Sequence, residues 1–124
     1  MRLLVCCSRT WTDYRLLRQV IENVVCNEFQ AEPFVLIEGD APGADRMAAH
    51  LARHWGWDLE VYPAHWRTQG RAAGPRRNLR MLRDGLPDLV LAFVDKPLAT
   101  SRGTAHMVAL ARAADLPVRV IERR

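Results

Sequence analysis

Cysteine and lysine are scarce in this 124-residue chain, and long apolar runs are absent. Three cysteines, of which Cys6 and Cys7 are adjacent, are too few for a framework of several disulfides, and no CxxC or Cys/His cluster has metal-ligand spacing. No apolar run reaches the roughly 18 residues that cross a bilayer, and the amino terminus has no signal-peptide pattern. We therefore predict a cytoplasmic protein with no structural metal and no membrane segment.

The composition is that of a globular protein, with 49% hydrophobic and 26% charged residues, and the length predicts one domain over residues 1–124. The net charge of +4 comes from 17 arginines and one lysine against 14 acidic residues. Because the arginines are scattered along the chain, a general preference for arginine explains this charge. A nucleic-acid-binding surface is the alternative, and the group of arginines within residues 76–83 favours it.

Five apolar segments alternate with helical patterns. The predicted strands are residues 3–7, 34–37, 59–62, 89–93 and 118–121. The first, second and fourth strands are unbroken apolar runs, as expected for strands that helices cover on both faces, whereas the third and fifth alternate and belong at the edges. With right-handed crossovers, this predicts a Rossmann-like three-layer α/β domain with a five-stranded parallel sheet in the order 3-2-1-4-5 and helices on both faces.

Helical periodicity and breakers give the helices between these strands. An apolar stripe over residues 16–25 predicts the first helix, with Thr12 as its N-cap. The third helix is predicted over about residues 75–84, with Pro75 in its first turn. The connection 63–78 before and into this helix is predicted as a long loop, and such a loop in a small domain is usually functional.

A ligand of this sheet should bind at the carboxyl ends of the strands, where the strand order reverses between the first and fourth strands. The loops after the second and fourth strands are rich in glycine and lead into helices whose first N–H groups can bind an anion. Neither loop has a Walker A or GxGxxG pattern, so ATP hydrolysis and ordinary dinucleotide binding have no signature. The candidate ligand-binding residues are Ser8, Arg9, Trp11, Gly39, Asp40, Gly43, Ala44, Asp45, Trp66, Arg77, Asn78, Ser101, Gly103 and Thr104.

Chemistry suggests a role for several of these side chains. Asp40 and Asp45 are expected to bond backbone amides or a ribose hydroxyl rather than form an acid/base pair. The guanidinium of Arg77 can hold a phosphate, and the amide of Asn78 can bind the edge of a base or sugar. No metal or cofactor is predicted. The alternative for residues 63–78 is a solvated, arginine-rich surface.

Four ordered motifs resemble the YspA-like, cpYpsA-related SLOG family. They are Ser8-Arg9-x-Trp11, Gly39-x-Ala41-x-Gly43-Ala44-Asp45, the segment 63–81 with AAGPxRN at 72–78, and Ser101-x-Gly103-Thr104. The resemblance implies a Rossmann-like SLOG domain whose ligand lies against these motifs. That superfamily is associated with nucleotides or nucleotide-derived signals, often in prokaryotic conflict systems and phages, and its relatives include DprA proteins and LOG phosphoribohydrolases.

The same resemblance bears on catalysis. LOG enzymes carry PGGxGTxxE, whose glutamate belongs to the catalytic site, and Met107 stands at that position here. Asp45 and His106 are the candidates to replace that acid/base group. We therefore expect a binding module for a phosphorylated nucleoside or nucleotide-derived small molecule. An N-glycosidase or phosphoribohydrolase of the LOG type and a DprA-like protein that binds single-stranded DNA remain the alternatives, and self-association into a homo-oligomer is expected from the relatives.

Overall fold

The computed structural model describes residues 1–28 and 33–123, with only the backbone of Glu28. Strands and helices alternate along this part of the chain. The strands are β1 (Arg2–Cys7), β2 (Val35–Glu38), β3 (Asp58–Val61), β4 (Leu89–Val94) and β5 (Val118–Glu122). The α-helices are α1 (Tyr14–Glu28), α2 (Ala44–Trp55), α3 (Trp66–Gln69), α4 (Ala73–Gly85) and α5 (Arg102–Ala113). None of these helices is long and apolar enough to cross a membrane.

The five strands form one parallel sheet in the order β3-β2-β1-β4-β5, which confirms the predicted order. Every residue of β4 is buried, whereas the edge strands β3 and β5 are partly exposed. Apolar character therefore follows position in the sheet, because a central strand is covered on both faces. The order reverses between β1 and β4, which places a crevice at their carboxyl ends.

Two apolar cores lie on opposite faces of the sheet because successive side chains of a strand point to opposite sides. In β1, Leu3 and Val5 belong to the core formed with α1 and α2. Leu4 and Cys6 belong to the core formed with α4 and α5. This three-layer arrangement confirms the predicted Rossmann-like architecture.

The predicted N-cap of the first helix is wrong. Helix α1 begins at Tyr14, and the carboxylate of Asp13 accepts a hydrogen bond from the Leu16 amide at 3.0 Å. Asp13 is thus the N-cap, since it satisfies one of the free amides of the first turn. Apolar periodicity does not distinguish between the adjacent capping residues Thr12 and Asp13.

The predicted long loop over residues 63–78 is also wrong for most of its length. Helix α3 and the 3₁₀ turn Gly70–Ala72 occupy its middle, and α4 begins at Ala73 rather than near Pro75. Glycine and proline are typical of loops, so the composition of this segment favoured one. Pro75 is tolerated because an amide in the first helical turn has no partner within the helix.

Candidate functional site

A cavity of about 860 Å³ lies at the carboxyl ends of β1 and β4. This volume falls within the roughly 300–1,000 Å³ that is usual for small-molecule sites. Nine of the fourteen predicted binding residues line the cavity: Ser8, Arg9, Asp45, Trp66, Arg77, Asn78, Ser101, Gly103 and Thr104. The other five do not line it: Trp11, Gly39, Asp40, Gly43 and Ala44.

The N-terminus of α5 forms one wall of the cavity. The Ala105 amide bonds the Ser101 carbonyl at 2.8 Å, which begins the helix, but the Ser101 side chain does not cap it. The amides of residues 102–104 are therefore left for another acceptor, as the first turn of a helix provides no carbonyl for them. At Gly103 nothing lies within 4 Å of the position that a Cβ would occupy. Open space and free amides together suit an anion.

Arg77 of α4 places a largely buried guanidinium in the same cavity. Its side chain is engaged on one side, since Nε donates to Asn78 Oδ1 at 2.9 Å and Nη1 donates to the Gly39 carbonyl. Nη2 has no hydrogen-bond partner among the described residues, although the residue is only 9% exposed. No buried side-chain nitrogen of the described residues lacks a partner, so Nη2 is accessible, and Arg77 lines the cavity. Burial lowers the pKa of Arg77, but a guanidinium stays charged in proteins.

Backbone amides of the glycine loop after β2 donate hydrogen bonds to carboxylates of the chain itself. Asp45 Oδ2 accepts from the amides of Gly39 and Ala41 at 3.1 and 3.3 Å. Glu38 Oε2 accepts from the Asp40 amide at 2.6 Å. Asp45 therefore bonds backbone amides, as predicted. These three amides are therefore not available to a phosphate, although the glycine content of the loop had predicted an anion site there.

Burial raises the pKa of both carboxyl groups that bond the loop amides. Burial raises the pKa of Asp45 from 3.8 to about 6, although the Cys7 thiol and backbone amides that bond it act in the opposite direction. Burial likewise raises the pKa of Glu38 from 4.5 to about 7. The Cys7 thiol donates to Asp45 Oδ1 at 3.3 Å, and burial raises the pKa of Cys6 and Cys7, so neither thiol is a reactive thiolate.

The two tryptophans predicted for the site have different surroundings. Trp11 is 1% exposed, packs edge-on against Phe93 at 5.3 Å between ring centroids, and donates from Nε1 to the Asp13 carbonyl. Trp11 is thus a core residue that does not line the cavity. Trp66 is 49% exposed and lines the cavity, with the Arg9 guanidinium carbon 5.4 Å from its ring centroid.

Gly43 allows close packing between two loops next to the cavity. It has φ of 91° and ψ of −133° at the start of α2, and a Cβ there would lie 2.9 Å from the Ser8 carbonyl oxygen. Only glycine combines this backbone conformation with such close contact. Gly43 therefore lets the loop after β1 pack against the start of α2.

Several cavity residues are absent from the sequence prediction. Arg71, Lys96 and Arg102 line the cavity beside the predicted Arg9 and Arg77. His106, predicted from the sequence only as a candidate acid/base group, lines it as well, one turn beyond the start of α5. The arginine-rich composition of the loops was a signal for Arg71 and Arg102, but scattered arginines gave no indication of which ones converge. Five cationic side chains thus face a cavity that has Asp45 as its one acidic lining residue.

Comparison with known proteins places this architecture in a family. The model of the YspA, cpYpsA-related SLOG family matches residues 1–68, more than half of the chain. The chain belongs to the YspA, cpYpsA-related SLOG family. It is also 34% identical over 128 residues to the Gene 61 protein of Mycobacterium phage D29, with 94% of this chain and 93% of that protein covered. No solved structure gives a significant match.

The cavity of this SLOG protein includes motifs beyond the matched range. Gly74, Pro75, Arg77 and Asn78 of the third motif and residues 101–104 line it together with Ser8 and Arg9. Met107, at the position of the LOG glutamate, is fully buried in the core and does not line the cavity. Within residues 1–28 and 33–123, no three His, Cys, Asp or Glu side chains are grouped so as to hold a metal ion.

Proposed function

We propose that this SLOG protein binds a phosphorylated nucleoside or a nucleotide-derived small molecule in the cavity between β1 and β4, as a sensor or as a protein that sequesters the ligand. The observation that carries the proposal is the buried Arg77, which lines the cavity and whose accessible Nη2 has no partner among the described residues. A buried guanidinium with free N–H groups suits phosphate, because its planar donors match the phosphate oxygens.

The phosphate is proposed to lie between Arg77 and the start of α5. The uncapped amides of residues 102–104 add backbone donors, and the helix dipole favours a negative charge there. Lys96 and Arg102 also line the cavity. The excess of cations over the single acidic lining residue supports an anionic ligand in particular.

The base is proposed to stack on Trp66. The indole is half-exposed and lines the cavity, and Arg9 lies over its ring. A flat aromatic surface beside a cationic pocket favours a ligand with both a ring and a phosphate, because stacking and charge pairing then act on one molecule.

Calorimetric titration tests the proposal with AMP, ADP, ADP-ribose and a cyclic dinucleotide as ligands, and inorganic phosphate as the comparison. We expect at least one nucleotide to bind, and Arg77→Met to weaken its binding by more than about tenfold, since a charged hydrogen bond is worth roughly 1.5–3 kcal/mol. Arg80→Met is the matched control, because Arg80 lies on the same helix but donates to the Pro63 carbonyl outside the cavity. Circular dichroism verifies that both variants fold. Binding by none of these nucleotides, or full binding by Arg77→Met, would contradict the proposal.

Hydrolysis of an N-glycosidic bond is the second candidate, and one observation favours it: Asp45 lines the cavity with a pKa near 6. An acid/base group works best with a pKa close to the working pH. The three donors that Asp45 already binds within the chain favour a structural role instead. Release of free base from a nucleoside monophosphate, abolished in Asp45→Asn, would establish hydrolysis over simple binding.

Binding of single-stranded DNA has less support. Within residues 76–83, Arg80 donates to the Pro63 carbonyl and Arg83 pairs with Asp84. These arginines are therefore partly engaged in contacts within the chain. A gel shift that weakens steeply as salt increases would support this alternative, since contacts with a phosphate backbone release counterions.

A further inference from the structure

The hydrogen bonds around Asn78 fix the orientation of its side-chain amide. Arg77 Nε, which can only donate, lies 2.9 Å from Asn78 Oδ1. The Gly103 carbonyl, which can only accept, lies 3.1 Å from Asn78 Nδ2. Both contacts require the same orientation, with the oxygen towards α4 and the NH₂ group towards α5.

This orientation determines the tautomer of His106. Asn78 Nδ2 also lies 3.1 Å from His106 Nδ1. Of the two hydrogens on Nδ2, one serves the Gly103 carbonyl and the other points to the imidazole. His106 Nδ1 must then accept, so it has no hydrogen, and the neutral ring has its hydrogen on Nε2.

The Nε2–H group of His106 is accessible, and His106 is a lining residue of the cavity. His106 is half-buried and lines the cavity, and Nε2 has no partner among the described residues. Since no buried side-chain nitrogen in that part of the chain lacks a partner, Nε2 is accessible. Gly103 and His106 are three residues apart on α5 and thus lie on the same side of the helix, next to the free amides of its first turn.

We propose that His106 is a ligand-binding residue that donates a hydrogen bond from Nε2 to an oxygen of the ligand's phosphate, and that Asn78 is a positioning residue that fixes this tautomer. The inference rests on the proposed nucleotide-binding function. It also changes the role expected for Asn78: both hydrogens of its amide are used within the chain, so this amide orients His106 instead of donating to a base.

Two measurements test the inference separately. The first is two-bond ¹H–¹⁵N NMR of histidine-labelled protein at mildly alkaline pH without a ligand, which reports the tautomer of each ring. We expect the Nε2–H tautomer for His106. In Asn78→Asp, a carboxylate replaces the donor, so we expect the hydrogen to move to Nδ1. A wild-type His106 with its hydrogen on Nδ1 would overturn the assignment whether or not the protein binds nucleotides.

The second measurement is titration of histidine variants with the nucleotide that the wild type binds. His106→Leu should weaken binding about tenfold, as expected for one lost hydrogen bond, and His106→Gln should retain most of the affinity because it keeps an N–H donor. His50→Leu is the matched control, because His50 is an exposed residue of α2 outside the cavity. Equal affinity of His106→Leu and the wild type would overturn the role of His106 and leave the proposed function intact. Failure of the wild type to bind any nucleotide would overturn the proposed function, and with it the role of His106, while the tautomer assignment would still stand.

Discussion

The hydroxyl oxygens of Ser8 and Ser101 lie 2.8 Å apart, although 93 residues separate them in the chain. Both side chains are buried, and both residues line the cavity. This hydrogen bond joins the end of β1 to the start of α5, which are the two elements that meet where the strand order reverses. Each hydroxyl therefore serves both the fold and the shape of the candidate site.

Replacing both serines should lower the free energy of unfolding by less than the sum of the two single replacements. Ser8→Ala is expected to lower the free energy of unfolding by about 1–2 kcal/mol, because it leaves a buried hydroxyl without its partner. The same holds for Ser101→Ala. In the double variant the second loss should be smaller, since the interaction is already gone. Urea denaturation of the four proteins measures this coupling, and strictly additive losses would show that the contact contributes nothing.

Gly43→Ala should be the more damaging of two glycine substitutions at positive φ. At Gly43 a Cβ would meet the Ser8 carbonyl oxygen at 2.9 Å, whereas at Gly56, with φ of 71°, nothing lies within 4 Å. Gly56→Ala should cost about 1–2 kcal/mol, the usual penalty of the left-handed conformation. We expect Gly43→Ala to cost at least about 1 kcal/mol more than this. Thermal unfolding compares the two variants, and equal losses would contradict the predicted clash.

Stability should decrease as the pH rises from about 4 to 7. The pKa of Glu38 is raised from 4.5 to about 7 and that of Asp45 from 3.8 to about 6, so the folded state binds more protons than the unfolded state in this range. The stabilising contribution is therefore complete below the unfolded pKa values and is lost as the pH passes through the folded ones.

Glu38→Gln tests this linkage, because glutamine still accepts a hydrogen bond from the Asp40 amide but does not ionise. Its free energy of unfolding should vary less between pH 5 and about pH 7 than that of the wild type. Glu60→Gln is the control, since the pKa of Glu60 is lowered by its hydrogen bond with Arg2 and not raised. An unchanged pH profile in Glu38→Gln would exclude Glu38 as the source of the decrease.

Trp66→Ala should weaken nucleotide binding by about tenfold or more, because base stacking on an aromatic side chain is worth roughly 1–3 kcal/mol. Trp55→Ala provides a close comparison: the two indoles are 49% and 51% exposed, but Trp55 lies outside the cavity and donates to Glu22. Titration of both variants with the same nucleotide separates stacking from a general effect of losing a surface tryptophan. Equal affinity in the two variants would remove Trp66 from the site.

The sequence by itself determined the layers and the order of the sheet. Unbroken apolar runs at residues 3–7 and 89–93 indicated central strands, and the alternating run at 118–121 indicated an edge, because only a strand covered on both faces needs apolar residues throughout. The strand order in turn located the crevice, and nine of the fourteen predicted binding residues line it. The layers and the strand order depend on local periodicity and on the connectivity of the elements, and both can be read from the sequence.

Only the tertiary structure decided the hydrogen-bond partners and exposure of individual side chains. Trp11 and Trp66 are the same residue type in two of the four motifs, yet one is buried beside Phe93 and the other lines the cavity. Likewise, the carboxylate of Asp45 accepts hydrogen bonds from amides of the glycine loop, and the Asn78 amide bonds His106 on a different helix. Such contacts depend on where distant segments meet in space. Local spacing along the chain does not contain that information, because partners far apart in sequence are brought together only by packing of the whole sheet and its helices.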